Sequence, residues 1–72
     1  MRIIQVGLGF WGAEWAKVIA RSPHTELVAL VDLDAAALET VGDTVGLANN
    51  KRFGSLAEAI GKVDADAALI VV

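Results

Sequence analysis

The chain has 72 residues, 56% hydrophobic and 21% charged, so it is at most one small domain with a modest core, and it is not a disordered segment. Its net charge is −3, and the only adjacent basic pair is Lys51-Arg52. A nucleic-acid surface needs clustered positive charge, so that partner is not expected. There is no cysteine, hence no disulfide, thiolate nucleophile or cysteine-based zinc site; this fits a reducing compartment, and a cytoplasmic location is the expectation.

Arg2-Ile3-Ile4-Gln5-Val6 is rich in β-formers and stops at a glycine, so it reads as a first strand. The glycines at 7, 9 and 12 and the acid at 14 interrupt any signal-peptide pattern, and no apolar run is long enough to cross a bilayer, so no membrane partner is expected. A helix is predicted from Trp11 to about Arg21. Its apolar positions Trp11, Trp15, Val18 and Ile19 recur at the helical period and define the expected buried face, with Glu14, Lys17 and Arg21 opposite. Ser22-Pro23-His24 ends it, because the residue before proline avoids the helical region.

Leu27–Val31 is a second strand with Asp32 at its C-terminal end. Asp34 is placed to cap a second helix, which runs from Ala35 to about Val41 or beyond with Leu38 and Val41 inward. Gly42, Gly46 and Asn49-Asn50 mark a turn-rich stretch, followed by a short third strand near Lys51-Arg52-Phe53, with Phe53 in the core. Ser55-Leu56-Ala57-Glu58 is a capping box for a third helix that Gly61 should end. Ala67 to Val72 is a fourth strand. It is continuously apolar and lacks a polar closing turn, as expected of a strand with neighbours on both sides, so residues 1–72 read as the N-terminal part of a longer domain.

The pattern βαβαβαβ predicts a parallel sheet with right-handed crossovers and strand order 3-2-1-4, the start of a doubly wound α/β domain. Within it, Gly7-Leu8-Gly9-Phe10-Trp11-Gly12 matches G-x-G-x-x-G between a strand and a helix, the context that makes the motif a Rossmann dinucleotide fingerprint. Gly7 permits the tight turn, Gly9 lets a pyrophosphate approach the backbone, and Gly12 lets the helix pack close to the sheet. The first-turn amides and the helix dipole then favour the phosphates. Asp32, twenty residues past Gly12, is the expected acceptor for the adenosine ribose hydroxyls. Leu33 and Asp34 follow it rather than an arginine, so NAD is expected over NADP.

Other candidates carry structure rather than chemistry. Trp11 and Trp15 are read as packing residues, His24 as solvated, and Asp64 and Asp66 as a polar turn at the strand edge opposite the ligand edge. No catalytic residue and no metal-ligand set is assigned. A nucleotide-sensing module without catalysis, and a structural domain without cofactor, remain open beside an enzyme.

With these residues in view, IIQVGLGFWGAEWAKVIARSPHTELVALVDLD, FGSLAEAI and VDADAALIVV, the sequence resembles the N-terminal part of the glucose-fructose oxidoreductase/inositol dehydrogenase/rhizopine catabolism (Gfo/Idh/MocA) family. The resemblance implies a Rossmann domain for NAD or NADP, with Gly7, Gly9 and Gly12 in the phosphate loop, Phe10 and Trp11 lining it, and Asp32 as the ribose acid. It further implies a homo-oligomeric dehydrogenase that oxidises a hydroxyl of a sugar, inositol or related polyol. The family's proline–histidine turn after strand 4 and its later Glu-Lys-Pro lysine have no counterpart within residues 1–72, so the chain alone is expected to be inactive.

Overall fold

The computed structural model describes residues 1–71. Strands β1 (Arg2–Val6), β2 (Glu26–Val31), β3 (Arg52–Phe53) and β4 (Ala67–Ile70) alternate with helices α1 (Phe10–Arg21), α2 (Ala35–Val45) and α3 (Leu56–Lys62). The sheet is parallel, in the order β3-β2-β1-β4 that the sequence predicts. Of the predicted fourth strand, Val72 lies outside the described residues.

Alternation along the strands divides the core between the two faces of the sheet. Leu8, Ala16, Ile19, Leu27, Leu30 and Val41 pack under α1 and α2. Ile4, Ala29, Val31, Phe53 and Ala59 pack under α3. The pairing of β1 with β2 skips Val28, a one-residue bulge that sends Val28 and Ala29 to the same side while Leu27 and Leu30 stay on the other.

Two helix starts follow the sequence. Asp34 accepts from the amides of Ala36 at 2.9 Å and Ala37 at 3.3 Å and so starts α2. Ser55 Oγ accepts from Glu58 N at 3.2 Å and starts α3. Gly46 closes α2 in the left-handed conformation, φ 72°, which costs a glycine no Cβ strain.

Three expectations are corrected. The buried residues of α1 are Gly12, Ala16 and Ile19, whereas Trp11, Trp15 and Val18 are 68%, 48% and 50% exposed. Small residues at 12 and 16 let the helix backbone approach the sheet, and this rotates the aromatic stripe to the flank. Gly42 is inside α2, not in a turn: a Cβ there would strike the Arg52 guanidinium, so glycine makes room for that side chain. Gly61 does not end α3, which continues to Lys62 with Val63 as its C-cap. β4 borders the sheet, and its Ala67, Ala68 and Ile70 are exposed.

Asp66 does more than make a turn. Its Oδ2 accepts from the Arg2 amide at 2.8 Å and its Oδ1 lies 3.4 Å from the Arg2 guanidinium. The backbone amide and then the guanidinium hold the Asp66 carboxyl below the usual aspartate range. Asp66 thus ties the start of β1 to the residues leading into β4.

Candidate functional site

The turn from β1 into α1 lies at the C-terminal edge of the sheet. The Gly7 amide donates to Val31 O at 2.9 Å, and the Val71 amide donates to Val6 O at 2.8 Å. Gly7 has φ 97°, and a Cβ there would collide with the Val71 carbonyl. Both the conformation and the space demand glycine. At Gly12 a Cβ would collide with the Gly7 carbonyl, so the third glycine seats α1 on the loop itself. At Gly9 a Cβ would have nothing within 4 Å; its surroundings are open.

Gly9 is the N-cap of α1, and no side chain caps the helix there. Ala13 N makes the first intrahelical bond, to Gly9 O at 2.8 Å, so the amides of Phe10, Trp11 and Gly12 precede it. No acidic side chain occupies the first turn. The positive end of the helix dipole therefore meets no neutralising carboxylate on its own helix. A hollow of about 170 Å³ lies against these groups, lined by Gly9, Phe10, Trp11, Gly12 and Val71. The Phe10 and Trp11 rings meet edge to face, with centroids 5.2 Å apart, and stand exposed beside it.

Asp32 extends from the end of β2 and its carboxylate is shared. Oδ2 accepts from the Leu8 amide at 2.8 Å, inside the glycine loop, and Oδ1 accepts from the Asp34 amide at 2.8 Å. Each carboxylate oxygen offers about two acceptor directions, so both keep capacity for a further donor. The Asp32 amide donates to Phe53 O at 3.2 Å, which fixes the residue to β3. The structure thus brings Gly7, Gly9, Phe10, Trp11, Gly12 and Asp32 to one edge of the sheet.

Sequence reasoning missed Gln5. It is fully buried, and its Nε2 donates to Gly12 O at 2.6 Å and to Gly7 O at 3.2 Å. The available signal was a polar residue inside an apolar strand two positions before the first glycine.

Elsewhere the chemistry is sparse. A larger hollow, about 380 Å³, lies between α2 and β3, where Arg52 is bonded to Leu47 O and Asp43. That network is closed on itself and presents no row of free amides. Among the described residues no cluster of three metal-ligating side chains occurs and no helix is long and apolar enough to cross a membrane. His24 is exposed in the turn after α1.

No protein-family model matches the chain. Among solved structures, scyllo-inositol dehydrogenase from Lactobacillus casei, with bound NAD(H) and scyllo-inositol, superposes with TM-score 0.88 at 29% identity, over 100% of this chain and 21% of that one. The chain corresponds to the N-terminal Rossmann portion of the Gfo/Idh/MocA-type oxidoreductases. An oxidoreductase from Agrobacterium radiobacter, in complex with NAD+, L-tartaric acid and magnesium, shares this Gfo/Idh/MocA-type fold with TM-score 0.87 at 22% identity, over 100% of this chain and 20% of that one. In sequence the chain is similar to the uncharacterized protein y4oX of Sinorhizobium fredii (strain NBRC 101917 / NGR234), 32% identical over 75 residues, which is 99% of this chain and 21% of y4oX. The chain therefore spans about a fifth of the length of the relatives it matches.

Proposed function

We propose that residues 1–72 form the NAD-binding part of a two-domain oxidoreductase that oxidises a hydroxyl of a sugar, inositol or related polyol. The observation that carries this reading is the juxtaposition of an uncapped helix N-terminus, open space at Gly9 and a carboxylate with spare acceptor capacity at Asp32. These groups fit the parts of a dinucleotide. The amides of Phe10, Trp11 and Gly12 would hold the pyrophosphate, Phe10 and Trp11 would flank it, and Asp32 would hold the adenosine ribose. Bound nicotinamide supplies a hydride acceptor, and the protein supplies binding and orientation. The NAD(H) of the Lactobacillus casei neighbour supports the cofactor, and its scyllo-inositol supports the substrate class. At that edge Asp32 is assigned to the ribose and Asp34 caps α2, so the groups that move the hydroxyl proton are assigned to segments other than residues 1–72.

Asp32 also gives the preference for NAD. A 2′-phosphate would bring negative charge to a carboxylate already held in place by two amides, with Leu33 and Asp34 rather than an arginine following. Calorimetric titration of NAD and NADP tests both points: saturable binding with NAD the tighter is expected, and saturation by neither overturns the cofactor reading. Asp32→Ala should weaken NAD more than NADP. Equal losses for the two would refute the ribose contact.

A further inference from the structure

Gln5 is the one buried polar side chain among the described residues, and the cofactor-binding groups above do not include it. It belongs on the α1 face of the sheet, because its strand neighbours Ile4 and Val6 pack on the α3 face. An apolar residue would satisfy that position by burial alone. A glutamine there has to justify a desolvated amide, and only half of it is satisfied. Its Nε2 serves two carbonyls, whereas Oε1 is buried without a partner.

The two carbonyls are those of Gly7 and Gly12, the first and last glycines of the phosphate loop. The Gly7 carbonyl and the Leu8 amide belong to one planar peptide unit. That unit is held from both ends: Gln5 Nε2 donates to its oxygen, and its N–H donates to Asp32 Oδ2. Rotation of the peptide would break both bonds together. The same Nε2 also reaches into the first turn of α1 through Gly12 O. One buried amide therefore links the loop, the helix that presents its amides to the phosphates, and the carboxylate assigned to the ribose.

We propose that Gln5 is a positioning residue for dinucleotide recognition, coupling the phosphate loop to Asp32 through the Gly7–Leu8 peptide. This inference rests on the NAD reading above for its effect on affinity, but not for its effect on the loop. Gln5 touches no part of the cofactor. It sets the orientation of groups that do.

The test is Gln5→Met, which keeps the length and nearly the volume of the side chain and removes the donor. It also removes the unpartnered Oε1, which offsets part of the cost of taking the donor from the Gly7 and Gly12 carbonyls. A purely structural role would lower the melting temperature and leave the affinity of the folded protein unchanged. A positioning role raises the Kd for NAD by about tenfold, the equivalent of one hydrogen bond to a recognition group. It also shifts the Leu8 amide resonance upfield in the cofactor-free protein, as its charge-assisted bond to Asp32 loosens. In a folded Gln5→Met protein, an unchanged Kd or an unmoved Leu8 amide overturns the proposal. If the wild type does not bind NAD, the cofactor reading has failed, and the Leu8 amide alone decides the coupling. If Gln5→Met does not fold, the wild type decides it: slow exchange of both Gln5 side-chain amide protons supports the bridge, and fast exchange of either overturns it.

Discussion

The three loop glycines face different surroundings, and alanine at two of them should separate folding from binding. At Gly12 the added methyl would run into the Gly7 carbonyl, a backbone atom that cannot swing aside and that already accepts from Gln5. Clearing the clash means lifting α1 from the sheet and stretching the 2.6 Å bond from Gln5 Nε2 to Gly12 O. Forced overpacking costs about 1–3 kcal/mol, and the higher helix propensity of alanine, about 1 kcal/mol at most, offsets only part of it. A domain of this size holds about 4–11 kcal/mol in total, so the loss is substantial. At Gly9 the methyl meets nothing within 4 Å, and φ is −65°, which any residue adopts. Its cost to folding is the difference between glycine and alanine as an N-cap, about 1 kcal/mol. Yet the methyl stands in the space assigned to the pyrophosphate and should weaken NAD by at least about tenfold. Urea unfolding followed by calorimetry on each folded variant reads both effects. A Gly9→Ala protein that binds NAD as the wild type does would refute the placement of the phosphates. A Gly12→Ala protein as stable as the wild type would refute the packing argument.

Three further outcomes follow from particular contacts. Asp32→Asn replaces one acceptor oxygen by a donor, so either the Leu8 or the Asp34 amide loses its partner. A loss of about 1–3 kcal/mol in urea unfolding is expected, and no change would show that these bonds are not formed. Gly42→Ala should bring no gain in stability despite the better helix propensity of alanine, because the methyl would displace the Arg52 side chain from Asp43 and Leu47. A rise in melting temperature would count against that packing. Asp66 has a folded-state pKa below its unfolded one, so its contribution is fully present above the ordinary aspartate value of about 3.9 and is lost as pH falls through the lowered value. A carbon-13 titration of the Asp66 carboxyl should give a midpoint below that ordinary value, whereas Arg2→Ala should bring it back up.

The order of strands and helices was legible because each signal was local. β1 and β2 are apolar runs closed by glycine and by aspartate, Asp34 and Ser55 sit where a helix must begin, and strands separated by helices pair in parallel. What was not legible was which stripe of α1 would be buried. By hydrophobicity Trp11, Trp15 and Val18 outrank Gly12 and Ala16, and periodicity alone selects the larger residues. The helix selects the smaller ones, because close approach to the loop carbonyl of Gly7 is possible only over Gly12. Gly42 misled for a related reason, whereas Gly61 has neither a positive φ nor a neighbour within 4 Å of a Cβ, and nothing in the structure explains it. Glycine marks a helix end when the backbone needs a positive φ, as at Gly46, but it can also mark contact with a distant side chain such as that of Arg52, which no local pattern reveals.

The site divides along the same line. G-x-G-x-x-G and the acid at the end of β2 are recognisable because chemistry fixes their spacing: a turn, an approach and a packing contact, then one β-strand's distance to the ribose. What joins them is not written in spacing. Asp32 reads in sequence as an acceptor for ribose, yet in the fold it accepts from Leu8 and Asp34. It is therefore part of the loop's own structure before any ligand arrives. Gln5 reads as a lapse in an apolar strand and becomes the bridge between the two ends of the loop. The glycines remove side chains where backbone must come close, and Asp32 and Gln5 then supply an acceptor and donors to the peptide at Gly7–Leu8. A turn held in this way has its donors oriented before binding, so less ordering remains to be done when a dinucleotide arrives.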